Sequence, residues 1–206
     1  MMIELIERRG APLRALDFGG GRGDWAHLAR AAGLEVVVMD VASATFGELE
    51  RWGIRCEKPL AGTACEFGII HVEQVFEHLP HPASTLARLV PLLAPKGIVA
   101  LGVPWDPQLA AKLRQPNWRA PKHSPVSLNA VAPLEHLNAF SPIGLHRLAS
   151  RHGLAVLRTD GWDLPTGLAP AGISPQRRLR GVLRAWLRDE YRPAFALTQT
   201  QFFEIA

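Results

Sequence analysis

The segment Ala15-Leu16-Asp17-Phe18-Gly19-Gly20-Gly21-Arg22-Gly23-Asp24-Trp25 constrains the fold more than any other part of the chain. An apolar run over residues 13–18 leads straight into the glycines, and residues 25–32 then carry helical patterning closed by Gly33. A strand that turns through bare backbone into a helix opens an α/β unit, and the missing side chains let the chain turn tightly and admit a ligand against the main chain. Taken alone, the glycines also read as a plain tight turn. Counted from Gly19, a G-x-G-x-x-G dinucleotide fingerprint needs glycine where Asp24 stands, and a carboxylate at a helix start repels a pyrophosphate. The pattern is instead D-x-G-x-G-x-G with Asp17 beneath the loop, an acid suited to a cationic ligand. A nicotinamide oxidoreductase is disfavoured.

Beyond the loop the chain alternates in the same way. Residues 35–39 read as a strand ending at Asp40, about 20 residues after the loop, where a carboxylate can accept both hydroxyls of a ribose. Alone, Asp40 also reads as a helix cap or a solvated strand end. Helical sequence over 44–52, a weak strand near 54–56 and a clear strand over 67–72 come next. Residues 82–93 form a helix with Pro82 in its first turn, and 98–103 form a strand after the Pro95-Lys96-Gly97 turn. Ser141 caps a helix that starts at Pro142 and closes at Gly153, before strands over 154–159 and 197–205. The alternation predicts an α/β fold with a parallel sheet.

Two stretches break it, 105–140 and 161–196. Each follows a strand, and stretches of that length in a compact domain serve as lids or binding loops, so both are expected to cover a substrate.

Length and composition bound the rest. With 206 residues, 48% of them hydrophobic and 20% charged, residues 1–206 read as one globular domain with a real core. No window approaches the ~18 to 20 apolar residues of a membrane span, and the charged opening MMIELIERRG does not read as a signal peptide. Cys56 and Cys65 form no C-x-x-C pair, so neither a disulfide framework nor a cysteine-built zinc site is expected, and a reduced, cytoplasmic protein is. The net charge of +4 and a pI near 9.6 raise the question of nucleic acid or a membrane surface. Six arginines between Gln176 and Arg192, against Asp189 and Glu190, account for the whole excess. Residues 177–191 read as an amphipathic helix, packed on the domain with solvated charges or else facing acidic substrates or anionic lipid.

Over residues 13 to 160 the chain resembles the class I S-adenosylmethionine-dependent methyltransferases, in the branch that holds many small-molecule O-methyltransferases. Asp17, Gly19, Gly21 and Gly23 are similar to that family's first motif and Asp40 to its ribose acid. Phe67-Gly68-Ile69-Ile70 with Val75-Phe76-Glu77-His78-Leu79 resembles its strand-four segment. Leu93-Ala94-Pro95-Lys96-Gly97-Ile98 resembles its turn before strand five, and Glu135-His136-Leu137 with Phe140-Ser141-Pro142 its entry to the next helix. The resemblance implies a Rossmann-like three-layer sandwich, with a mostly parallel seven-stranded sheet and an antiparallel last strand. It also implies S-adenosyl-L-methionine as cofactor, held by Asp17, Gly19, Gly20, Gly21, Gly23, Asp40, Val41, Glu73 and Gln74. Gly68 stands where the family usually has Asp, and Lys96 where its turn has Gly. The family's acid after strand three, which fixes the adenine, has no clear counterpart in Cys56-Glu57-Lys58-Pro59-Leu60. The chain begins almost at the first strand, so cover supplied in relatives by N-terminal helices falls to the stretches 105–140 and 161–196.

Two histidines are candidates for chemistry. His136 reads as a general base for a hydroxyl proton or as a buried structural histidine. Glu77 and His78 cap or brace the segment after strand four, or His78 faces the substrate. Glu77, His78 and His81 do not make a metal site in this reading, because Pro80 breaks the helix that would place two histidines on one face. Trp105, Trp118 and Trp162 are candidates for an aromatic wall around a flat substrate, with core or lid packing as the other reading.

The resulting expectation is methyl transfer to a small organic molecule, at oxygen. A cofactor-binding regulatory or scaffold protein without catalysis is the alternative, although the glycines are intact. Nucleic-acid methylation is the other; the Asn/Asp-Pro-Pro-aromatic tetrapeptide of amino-directed DNA enzymes is absent after Val72, and no lysine precedes Lys58 to build the tetrad of ribose-directed RNA enzymes.

Overall fold

A computed structural model describes residues 6–7, 9–57, 66–122, 124–132, 134–157 and 198–206. Seven strands form one sheet in the order β3-β2-β1-β4-β5-β7-β6: β1 (Arg14–Phe18), β2 (Glu35–Met39), β3 (Arg55–Glu57), β4 (Phe67–Glu73), β5 (Leu93–Pro104), β6 (Leu154–Val156) and β7 (Thr198–Ile205). β7 runs antiparallel to both its neighbours, and the remaining pairs are parallel. This is the mixed seven-stranded arrangement that the resemblance implied.

Strand parity sorts the apolar side chains into two cores. Leu16, Val37, Ile70, Val99, Leu101 and Phe203 point to one face, under helices α3 (Pro82–Leu89) and α5 (Pro142–Ser150). Ala15, Val36, Val38, Ile69, Ile98 and Ala100 point to the other, under α1 (Asp24–Ala31) and α2 (Phe46–Arg51). Strands buried on both faces read as continuous apolar runs, which is why Val36-Val37-Val38 and Ile69-Ile70 stood out as strands. Ser141 caps α5, its hydroxyl oxygen accepting the Gly144 N–H at 3.0 Å, with Pro142 in the first turn.

Three details differ from the sequence reading. Helix α3 stops at Leu89, and a single tighter turn, Val90–Leu92, carries Pro91, whose missing N–H cannot continue the helix. The Pro95-Lys96-Gly97 turn lies inside β5 instead of preceding it. Between the pairs Phe67↔Leu93 and Ile69↔Ile98, β5 spends three more residues than β4, and Lys96 takes a φ of 64° there. The stretch 105–140 contains a short helix α4 (Leu109–Lys112) and a turn at Asn129–Val131, with Ser127, Leu128 and Ala130 buried. The expectations for 161–196, for the arginine-rich helix over 177–191 and for Trp162 and Cys65 lie outside the described residues. Among the described residues, no helix is long and apolar enough to cross a membrane.

Candidate functional site

The sheet order reverses between β1 and β4. Chain order runs outward from β1 through β2 and β3 on one side, and from β4 to β5 on the other. Connections that leave in opposite directions open a crevice at the carboxyl ends of these two strands.

The glycine loop forms one wall of that crevice. Gly19 leaves β1 with a φ of 75°, its N–H bonded to the Met39 carbonyl at 2.6 Å, and a Cβ there would overlap the Val75 side chain beyond β4. Gly23, with a φ of 76°, precedes α1, and a Cβ there would overlap Leu49 of α2. Only glycine satisfies both the torsion and the space at these positions. A Cβ on Gly20 would lie 2.6 Å from Asp17 Oδ2, whereas one on Gly21 would meet nothing within 4 Å. Bare main chain at Gly21 thus borders open space.

Asp40, at the end of β2, ties the loop to the sheet. Its Oδ2 accepts the Gly21 N–H at 2.8 Å and its Oδ1 accepts the Ala42 N–H at 2.7 Å. The carboxylate is half-buried at the crevice rim, and each oxygen keeps a lone pair for another donor. Val41 beside it is 85% exposed. A half-buried acid, an uncovered apolar side chain and open backbone fit a nucleoside, whose ribose donates two hydroxyls and whose base is flat and apolar.

Asp17 lies beneath the loop, with its Oδ2 buried beside Gly20 and without a hydrogen-bond partner. It is 2% exposed, and its Oδ1 accepts the Nδ1–H of His71 at 2.9 Å. The His71 ring stacks on Trp25 of α1, centroids 4.1 Å apart and nearly parallel. Asp17, His71 and Trp25 thus link β1, β4 and α1 beneath the loop, a triad that sequence reasoning missed because His71 sits inside an apolar run. Glu57, at the end of β3, pairs with Arg55 at 2.5 Å.

The turn after β4 forms the facing wall. Gln74 takes a φ of 55°, rare for a residue with a side chain, and its N–H bonds to the Gly102 carbonyl at 2.9 Å. Glu73 leans the other way, over Gly102 of β5, and accepts the Thr200 hydroxyl of β7 at 3.4 Å. The end of the 105–140 stretch docks on the next turn, Phe76–His78. Leu137 and Asn138 both donate their N–H groups to the Glu77 carbonyl, at 2.7 and 3.0 Å, while the Asn138 side-chain amide donates to the Leu79 carbonyl at 2.6 Å.

This docking brings two histidines from distant segments together. The His78 and His136 rings lie 4.9 Å apart, edge to face. His78 Nδ1–H donates to the Glu135 carbonyl at 2.7 Å, which leaves Nε2 as the basic nitrogen, 3.8 Å from Glu77 Oε1. Glu77 is 1% exposed, and neither of its carboxylate oxygens has a hydrogen-bond partner. Burial raises its pKa above the usual carboxylate value. Burial likewise lowers the pKa of His136, against an opposing hydrogen bond with Ala130, so the ring is held neutral near pH 7. Its Nδ1 is buried without a hydrogen-bond partner. The only trace of this pairing in the sequence is the repeated Glu-His dipeptide at 77–78 and 135–136. Trp105 is half-buried at the end of β5, and Trp118 keeps 57% of its surface exposed.

Comparison with known proteins places this geometry. A family model described as a methyltransferase domain matches residues 2–159. Among solved structures, 1,6-didemethyltoxoflavin-N1-methyltransferase of Burkholderia thailandensis, with 1,6-didemethyltoxoflavin and S-adenosylhomocysteine bound, superposes with a TM-score of 0.60 at 17% identity, covering 99% of this chain and 76% of its own. A SAM-dependent methyltransferase from Archaeoglobus fulgidus gives 0.57 at 17% identity, with 98% and 88% covered. Mitomycin 7-O-methyltransferase gives 0.57 at 17% identity, with 100% and 54% covered. At this identity the likeness is one of fold. No curated protein sequence matches the chain significantly.

Proposed function

Because the chain belongs to the methyltransferase domain family, the class I S-adenosylmethionine-dependent enzymes, we propose that it methylates an oxygen of a small organic molecule bound over the carboxyl ends of β1, β4 and β5. The observation that carries the choice of oxygen is the pair of imidazoles, His78 and His136, with ring centroids 4.9 Å apart at the turn that follows β4. A basic nitrogen there can take the proton that a hydroxyl loses. The fold neighbours include one enzyme named for nitrogen and one for oxygen, so the fold itself does not choose between them.

In this reading Asp40 accepts the ribose hydroxyls, Val41 covers the base, and the main chain of Gly19, Gly20, Gly21 and Gly23 lies along the cofactor, with Asp17 bracing the loop. Glu73 and Gln74 border its amino-acid end. When bound, S-adenosylmethionine supplies a methyl group that is already electrophilic on its sulfonium. The protein's own work is then to align the acceptor, exclude water and hold a proton. The stretch 105–140 covers the acceptor, and Trp105 and Trp118 wall its pocket.

Incubation with methyl-labelled cofactor and two acceptor pools, small hydroxylated compounds and RNA, tests the reading. Label is expected in the small compounds; label confined to RNA would contradict it. Replacing Asp40 with alanine should weaken binding of S-adenosylhomocysteine by about 1 to 3 kcal/mol, since two hydroxyls lose a charged acceptor and the Gly21 and Ala42 N–H groups lose theirs. Isothermal calorimetry reads this directly, and equal affinity in mutant and parent would remove Asp40 from the site.

A further inference from the structure

We propose that Glu77, His78 and His136 hold a divalent transition-metal ion, with positions left open for a hydroxyl or carboxylate oxygen of the methyl acceptor. Burying a carboxylate without a hydrogen bond is costly, and neither Glu77 oxygen has one; the nearest base is His78 Nε2, 3.8 Å from Oε1. A cation compensates the buried charge and takes up one of these oxygens as a ligand. The groups around it fit a cation of this kind. One donor atom from each of Glu77, His78 and His136 lies within 4.8 Å of the other two. An ion about 2.1 Å from each donor needs them roughly 3 to 3.5 Å apart, a closure that small side-chain rotations supply.

The outer contacts point the same way. His78 Nδ1–H is spent on the Glu135 carbonyl, which fixes the ring so that Nε2 faces Glu77, the arrangement that orients metal-bound histidines. His136 Nδ1 is a buried nitrogen without a hydrogen-bond partner, on a ring packed edge to face against His78. The turn that carries Glu77 and His78 is pinned to the segment that carries His136 by the bonds from Leu137 and Asn138. Backbone docking thus holds the exposed His78 and the half-buried His136 beside the buried Glu77. Two imidazoles and one carboxylate suit zinc, cobalt or iron better than calcium or magnesium, and three protein ligands leave room for an oxygen donor. Sequence alone set a metal aside because Pro80 prevents two neighbouring histidines from sharing a helix face; the second imidazole comes instead from the far end of the 105–140 stretch.

With the ion bound, His78 and His136 serve as its ligands, and the ion rather than a free imidazole would lower the pKa of the acceptor hydroxyl; that role rests on the methyl-transfer reading, the ion itself does not. The chelator-stripped full chain should bind one Zn2+ per molecule by calorimetry, and Co2+ should give the visible absorption of a site with nitrogen ligands. Glu77→Gln and His136→Ala should each lower the affinity for Zn2+ by more than about 100-fold. S-adenosylhomocysteine affinity and far-UV circular dichroism, measured on the same samples, show whether each variant folds, with His78→Ala as the second route if Glu77→Gln does not. Absence of stoichiometric binding by the parent chain, or equal binding by parent and folded variants, would overturn the proposal. Metal binding without S-adenosylhomocysteine binding would leave the ion standing and tell against the functional reading instead.

Discussion

In a His136→Ala protein, methyl transfer falls by about 100-fold or more while S-adenosylhomocysteine binds as in the parent. His136 is carried by a segment hydrogen-bonded to the turn after β4, whereas Asp40, the acid proposed for the ribose, follows β2, on the far side of the glycine loop. Loss of the imidazole therefore removes a basic nitrogen from the acceptor side without touching the groups assigned to the cofactor. Far-UV circular dichroism of the variant shows whether the fold survives loss of the half-buried ring and its packing against His78. Steady-state rates set against calorimetric affinity separate the two effects. Unchanged turnover would take His136 out of the chemistry altogether.

The second large effect is on stability. Gly68→Ala should cost the fold about 3 kcal/mol or more, at the upper end of what overpacking does. Gly68 lies in β4 at the point where its register with β5 jumps, and a Cβ there would sit far inside the Pro12 carbonyl oxygen and 3.2 Å from Ile6 Cγ2. Pro12 is backbone leading into β1, so the clash cannot be relieved by turning a side chain; β1 itself would have to move. Urea unfolding should show a lower midpoint with an unchanged slope, and a midpoint equal to the parent's would mean that the strand can shift at little cost.

Gly68 also shows how far the sequence could be read. Its departure from the family's usual Asp is visible in the sequence, but the Pro12 carbonyl that excludes any side chain is not, because the contact joins β4 to the chain leading into β1. Apolar runs such as Val36-Val37-Val38 announce buried strands through hydrophobicity alone, and Ser141-Pro142 announces a helix start through local hydrogen bonding, so these elements were legible. The Pro95-Lys96-Gly97 turn was legible as a turn yet misplaced, since whether such residues precede a strand or bulge within it depends on the partner strand.

In the site, the loop and Asp40 were legible because their spacing is local. The meeting of Glu77, His78 and His136 was not. It is made by main-chain bonds from Leu137 and Asn138 to Glu77, and backbone docking leaves no mark on side-chain pattern. The inward turn of Asp17 was hidden for the same reason: its partner His71 comes from the adjacent strand.

Thermal unfolding of the full chain, with and without nucleoside ligands, tests the central claim most directly. A ligand that binds only the native state raises stability by RT ln(1 + [L]/Kd), about 2.7 kcal/mol at a hundredfold excess over Kd. S-adenosylmethionine and S-adenosylhomocysteine should each raise the melting temperature in a concentration-dependent way, and NAD should leave it unchanged. Stabilisation by NAD, with none from either sulfur nucleoside, would contradict the account.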